Sequence, residues 1–124
     1  MPQAAALTAA AMVTEARGLV VAGWCQGAHA RDKRGDDVPA WSDEARSWSL
    51  LGALLASWHR HETDALRADV IGHLADAEAL GGATQVLGEA VGTASLAKWN
   101  DEPSRTQTDV IDAFDRALRL LEVR

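Results

Sequence analysis

The chain of 124 residues has one cysteine, no tyrosine, one phenylalanine and three prolines. With Cys25 alone no intrachain disulfide can form, and the expected setting is a reducing cytoplasm. No apolar run reaches membrane-spanning length without a charge, so no membrane association is expected. The Ala-rich N-terminus lacks the basic residues that open a signal peptide, and Glu15 and Arg17 interrupt its apolar run. It reads as an ordinary soluble helix. Positive charge is scarce as well: 12 Lys and Arg stand against 18 Asp and Glu, a formal net charge of −6. The basic side chains are scattered rather than clustered, which argues against nucleic acid as a partner. There is no phosphate-binding glycine loop, no Gly-x-Ser-x-Gly elbow and no zinc-finger spacing. The sequence therefore requires no cofactor and names no reaction by motif.

What the chain does have is apolar content of 48% against 24% charged residues, the balance of a packed globule. Its length fits one domain spanning residues 1–124. The expected fold class is mainly α: a compact domain of four or five helices with a short β-hairpin after the first. The organising stretch is Ser42 to His59, read as a helix with Ser42 as N-cap and Asp43 and Glu44 in its first turn. Trp48, Leu51, Leu55 and Trp58 recur there at helical spacing, with Leu50 and Leu54 beside them. Gly52 lies inside it, where glycine costs roughly 1 kcal/mol relative to alanine. A close approach by another backbone is the expected compensation.

Ahead of it, Ala4 to Val21 places Ala5, Ala9, Met12, Ala16 and Leu19 on one helical face, with Gly23 as a stop. Trp24 to Trp41 is irregular. It reads either as a solvated loop or as a ribbon of Ala28–Arg31 and Asp37–Val38 turning at Arg34-Gly35. After it, Thr63 caps a predicted helix from Asp64 to about Ala79 that buries Leu66, Val70, Ile71, Leu74 and Ala77. Gly81-Gly82 ends it, and a shorter helix follows over Thr84–Thr93. The last helix opens on Thr106 and Asp109, a capping-box variant. It buries Val110, Ile111, Phe114, Ala117, Leu118 and Leu121, and sets Asp112 with Arg116, and Asp115 with Arg119, on its wet face.

The most distinctive run is Trp99-Asn100-Asp101, Pro103 and Arg105-Thr106, followed by Asp109-Val110. Together with Gly23-Trp24, Gln26-Gly27, Ala30-Arg31-Asp32 through Gly35, and Trp48 through Leu54, it resembles the pattern of a family of small uncharacterised bacterial proteins. That family is called domain of unknown function 6197. The resemblance samples nearly the whole chain and implies a compact, mainly helical domain, with no activity attached. Relatives in that pattern often carry cysteine two residues before the Leu-Gly-Ala run, where this chain has Ser49.

Two readings of Trp99–Thr106 stand side by side. In the structural one, Trp99 anchors the connection, Asn100 or Asp101 bonds backbone amides, Arg105 pairs with Asp101 and Thr106 caps the next helix. In the functional one, Asn100, Asp101 and Arg105 hold an anionic or carboxamide group. The five tryptophans, at 24, 41, 48, 58 and 99, supply nearly all the aromatic surface. Their indole N–H groups need partners, so some should be partly exposed. Trp24 and Trp41 are expected either to line a cleft or to clamp the irregular segment. Asp69, His73 and Asp76 share a helical stripe and are a candidate divalent-metal set, although no second helix carries matching ligands. The alternative there is a surface histidine paired with Asp69. Cys25 and His29 are four apart, but no third group orients them, and a lone thiol is the simpler reading.

Two function classes follow. One is a non-catalytic protein-interaction or regulatory module, whose partner is another protein or a second copy of this chain. The other is a small-ligand-binding protein or enzyme with a pocket of Trp99, Asn100, Asp101, Arg105, Trp24 and Trp41. The first is favoured, and catalysis is not expected, because no catalytic constellation rises above an ordinary structural role.

Overall fold

Thr8 begins the first helix, α1 (Ala9–Ala22), by accepting the Ala11 amide on its hydroxyl. The computed structural model describes residues 8–64 and 70–123, so the predicted first turn of this helix lies outside the described residues. Met12, Val13, Ala16 and Val20 form the buried stripe of α1, close to the predicted face. Gly23 does end the helix, but in extended backbone, with φ −177°, rather than a left-handed turn. Close packing is the reason for glycine here: a Cβ would lie 2.2 Å from the carbonyl oxygen of Arg46.

Three two-residue strands follow: β1 (Ala30–Arg31), β2 (Asp37–Val38) and β3 (Ser47–Trp48), ordered β2-β1-β3 and antiparallel throughout. The β1–β2 ribbon is the predicted hairpin. Arg31 faces Asp37 in register, and their side chains form an ion pair. Gly35 takes φ +86° in the turn, while the Asp32 carboxylate accepts the amides of Arg34 and Asp36.

Strand β3 is a departure from expectation. The helix predicted from Ser42 starts only at Leu50, as α2 (Leu50–Asp64). Ser42 does accept an amide, that of Glu44, but within a turn. Ser47 and Trp48 then pair with Arg31 and Ala30, so sheet pairing wins over their helical spacing. Ser49 is the residue that opens α2: its hydroxyl accepts the Gly52 amide and its carbonyl the Ala53 amide. The predicted close approach at Gly52 is real. The His29 carbonyl accepts the Ser49 amide, and a Cβ on Gly52 would sit 1.9 Å from that oxygen. α2 continues to Asp64, through the positions where the sequence predicts one helix to end and the next to be capped.

The next helix, α3 (Val70–Val91), runs straight through Gly81-Gly82 and is one element, not two. Burial of Ala79, Ala83, Val86 and Leu87 outweighs the cost of about 1 kcal/mol that each interior glycine carries. It stops at Gly92, at φ +82°, where the amides of Gly92 and Thr93 both return to the Gly88 carbonyl. The predicted inward face is corrected as well: Leu74 is 63% exposed and Ala77 is exposed, while Asp76 is fully buried. Leu66 and the side chains of Val70 and Ile71 lie outside the described residues.

A short helix, α4 (Leu96–Asn100), precedes α5 (Gln107–Glu122), whose capping box of Thr106 and Asp109 is formed on both sides. Asp115 pairs with Arg17 of α1 at 2.7 Å rather than serving only its own helix. One core joins the helices: Met12 and Val13 of α1, Leu50 and Leu54 of α2, Val86 and Leu87 of α3, Val110 and Phe114 of α5. Among the described residues no helix is long and apolar enough to cross a membrane.

Candidate functional site

The Trp99–Thr106 run is built around Asn100, at the end of α4, whose side chain is fully buried. Its Oδ1 accepts the Trp24 indole N–H at 2.8 Å and the Leu50 amide at 3.1 Å. Its Nδ2 donates to the Cys25 carbonyl at 3.1 Å and to Asp101 Oδ1 at 3.0 Å. A carboxamide has two donor hydrogens and two acceptor lone pairs, so this one is saturated. The orientation is also fixed, since both donors lie on one side and both acceptors on the other.

The neighbours extend the same node. Asp101 Oδ1 accepts the Gly27 amide at 2.9 Å, and Gln26 Nε2 donates to the carbonyls of Asn100 and Glu102. Arg105 turns back on its own loop, donating from Nε to the Trp99 carbonyl at 2.9 Å. Its guanidinium lies 3.8 Å above the Trp99 ring, in place of the expected pairing with Asp101. Asn100, Asp101 and Arg105 therefore do not converge on one space. A shallow recess of about 310 Å³ beside the node is lined by Gly27, Ala28, His29, Ser49, Ala97 and, of these three, Asp101.

A larger cleft, about 580 Å³, opens between α1, the turn at Ala40–Asp43 and the middle of α2. Trp41, 52% exposed, stacks on His59 with ring centroids 4.8 Å apart and planes at 14°. The turn that presents Trp41 is pinned from both sides. The Ser42 amide donates to the Pro39 carbonyl, and the Trp48 indole N–H donates to the Ala40 carbonyl at 3.0 Å. Trp24 has a clamping role instead, through its bond to Asn100.

Across the cleft, Glu15 gathers three donors from one face of α2. Ser57 Oγ donates to its Oε1 at 2.8 Å, Arg60 reaches that oxygen at 3.0 Å, and His61 Nε2 lies 2.9 Å from Oε2. Burial acts to raise the Glu15 carboxyl. The hydrogen bonds of His61 and Ser57 and the charges of His61 and Arg60 overcome it and hold the carboxyl below its ordinary value. Sequence reasoning put forward Trp41 but missed Glu15, Ser57, His59 and Arg60. The available signal for Glu15 was a carboxylate set between Met12 and Ala16 on the buried side of α1.

The remaining candidates are placed as follows. Asp76 points into the protein, Asp69 and the His73 side chain lie outside the described residues, and among the described residues no group of three His, Cys, Asp or Glu could hold a metal ion. The Cys25 thiol is buried and donates to the Ala28 carbonyl, and burial pushes its pKa up. His29 is exposed.

Comparison with curated proteins and with solved structures found no match. The sequence profile of a family described as the family of unknown function DUF6197 matches residues 4–120. That match takes in both the Asn100 node and every residue lining the cleft, and the chain belongs to the family of unknown function DUF6197.

Proposed function

We propose that this protein binds a small organic molecule in the cleft between α1, the Ala40–Asp43 turn and α2, and does not transform it. The observation that carries this reading is the stacked pair of Trp41 and His59 at the cleft, held in place while half of the indole remains exposed. A volume of about 580 Å³ falls within the range of about 300–1,000 Å³ that drug-sized molecules occupy. An exposed tryptophan on a rigid turn offers a large ring face at little entropic cost. Of the six residues that the sequence puts forward for a ligand site, Trp41 is the one in this cleft.

Binding without turnover is favoured by how the Ser57, His61 and Glu15 side chains are connected. A serine nucleophile must give its proton to a base, and the base must be oriented by a third group. Here Ser57 donates to Glu15, and His61 contacts the same carboxylate. The set ties α1 to α2, and a carboxyl held below its ordinary value by His61, Ser57 and Arg60 is a weak base for the Ser57 proton. The interaction-module reading has less support, because among the described residues the exposed large apolar side chains, Val21, Trp41, Leu74 and Val123, come from four different segments.

A fragment screen by two-dimensional 1H–15N NMR tests the proposal, with the Trp41 indole signal assigned by its loss in Trp41→Phe. Expected are ring-bearing fragments with millimolar affinity that move the Trp41 signal and fail to bind Trp41→Ala. A diverse screen with no fragment at that signal would refute it.

A further inference from the structure

We infer that the molecule this cleft takes is an organic cation, recognised by the Trp41 indole and the Asp43 carboxylate. This inference rests on the ligand-binding reading above and narrows it to one class of chemistry. Besides His59, which stacks on Trp41, the cleft is lined by two carboxylates, Glu15 and Asp43, and one guanidinium, Arg60. Glu15 and Arg60 form an ion pair at 3.0 Å, and His61 adds a further contact to the same carboxylate. Their charges neutralise one another within the wall. Asp43 is different. It is exposed, and among the described residues no ion pair engages its carboxylate. The Arg46 guanidinium is held on the same turn but donates to the backbone carbonyls of Asp43 and Ala45, not to the Asp43 carboxylate. The cleft's carboxylate without an ion pair is therefore that of Asp43, two residues from Trp41 on one short turn.

That combination selects by sign. Tryptophan offers the strongest ring face to a positive centre, and a nearby carboxylate adds direct attraction. An anion would meet Asp43 with only an already paired guanidinium to oppose it. A neutral aromatic molecule would stack on Trp41 but gain nothing from Asp43. At longer range the chain's formal charge of −6 also attracts cations and repels anions. The apolar part of the lining, Leu19, Ala40 and Ala56, suits a cation with a hydrocarbon body rather than a bare metal ion.

The test uses three probes of one shape class: benzyltrimethylammonium, benzyl alcohol and phenylacetate, titrated separately at low ionic strength against the full chain. The readout is the 1H–15N spectrum of the cleft: the Trp41 indole signal in chains that keep Trp41, and the backbone amides of Ser42 and Asp43 in the two Trp41 variants. Benzyltrimethylammonium is expected to bind about tenfold more tightly than either of the others. Asp43→Asn should reduce its affinity to that of benzyl alcohol and leave benzyl alcohol unchanged. Trp41→Ala should abolish binding of all three, and Trp41→Phe, which keeps a ring, should weaken it less. Thermal melts of each variant confirm that the fold is retained, as expected for exposed side chains. Equal binding of benzyl alcohol or phenylacetate, or full cation affinity in Asp43→Asn, overturns the cation inference and leaves ligand binding standing. If none of the three probes moves Trp41 while screen fragments do, the inference fails alone. If neither set does, both readings fail.

Discussion

Replacing Asn100 with alanine removes a side chain with no solvent exposure and all four of its hydrogen bonds. The Leu50 amide, at the first turn of α2, loses its acceptor, and the Cys25 carbonyl loses its donor. Each buried group left without a partner costs about 1–3 kcal/mol. The Trp24 indole N–H is partly within reach of water and adds less. The expected total is about 3–5 kcal/mol, a fall in Tm of roughly 10–20 °C for a chain of this size. Asn100→Asp sharpens the test, because it keeps the shape and both acceptor contacts. It replaces the donating Nδ2 with an oxygen facing the Cys25 carbonyl and the Asp101 carboxylate. The new carboxyl is buried beside a negative charge, so its folded-state pKa is raised. The destabilisation therefore grows as pH rises above the unfolded value, near 4. Urea unfolding followed by far-UV circular dichroism measures both variants at pH 7 and at pH 4. The reasoning is refuted if Asn100→Ala loses less than about 1 kcal/mol, or if Asn100→Asp recovers nothing at the lower pH.

Gly52→Ala should drop the Tm by more than about 10 °C or prevent folding, since its Cβ would sit 1.9 Å from the His29 carbonyl. Gly81→Ala, with nothing within 4 Å, should instead stabilise α3 by about 1 kcal/mol; a melt of each settles the contrast. The Glu15 carboxyl is depressed when folded, so its contribution is present above its ordinary value of 4.5 and is lost as pH falls through the lower folded value. Glu15→Gln should accordingly be less stable than the parent chain at pH 7, and the gap should close below pH 4.5; a constant gap across acid melts contradicts the assignment. Cys25, buried with its thiol pKa raised, should react with a thiol reagent far more slowly in the native protein than in denaturant.

Reading from sequence worked best where local chemistry and packing agree. In α5 the Thr106–Asp109 box and the apolar spacing point the same way, and both are found. In the hairpin, Gly35 sits where a left-handed residue is needed. Reading failed where a distant partner decides. Trp48 has helical spacing to Leu51 and Leu55, yet its backbone pairs with Ala30 and, through Gly23 and Cys25, with the end of α1. Gly81-Gly82 is a sound local stop signal that α3 overrides by burying Ala79 and Ala83 on either side. The cleft was the hardest to foresee. Glu15, Trp41 and Arg60 have nothing in common along the chain, and they meet only because α1 and α2 pack side by side across the pinned turn.

The bonds at Asn100 also impose an order in time. Its two donors, Trp24 and the Leu50 amide, precede it by 76 and 50 residues. Both are therefore synthesised before their acceptor, and until Asn100 follows, the opening of α2 is without that partner. Only when α4 emerges can the carboxamide enter and satisfy them together with Cys25. A ribosome-bound or prematurely terminated chain that ends within α3 thus differs from the finished one in more than length. Its α2 opens on an amide without its acceptor, its Cys25 carbonyl lacks its donor, and the Val110 and Phe114 side chains that α5 adds to the core are still to come.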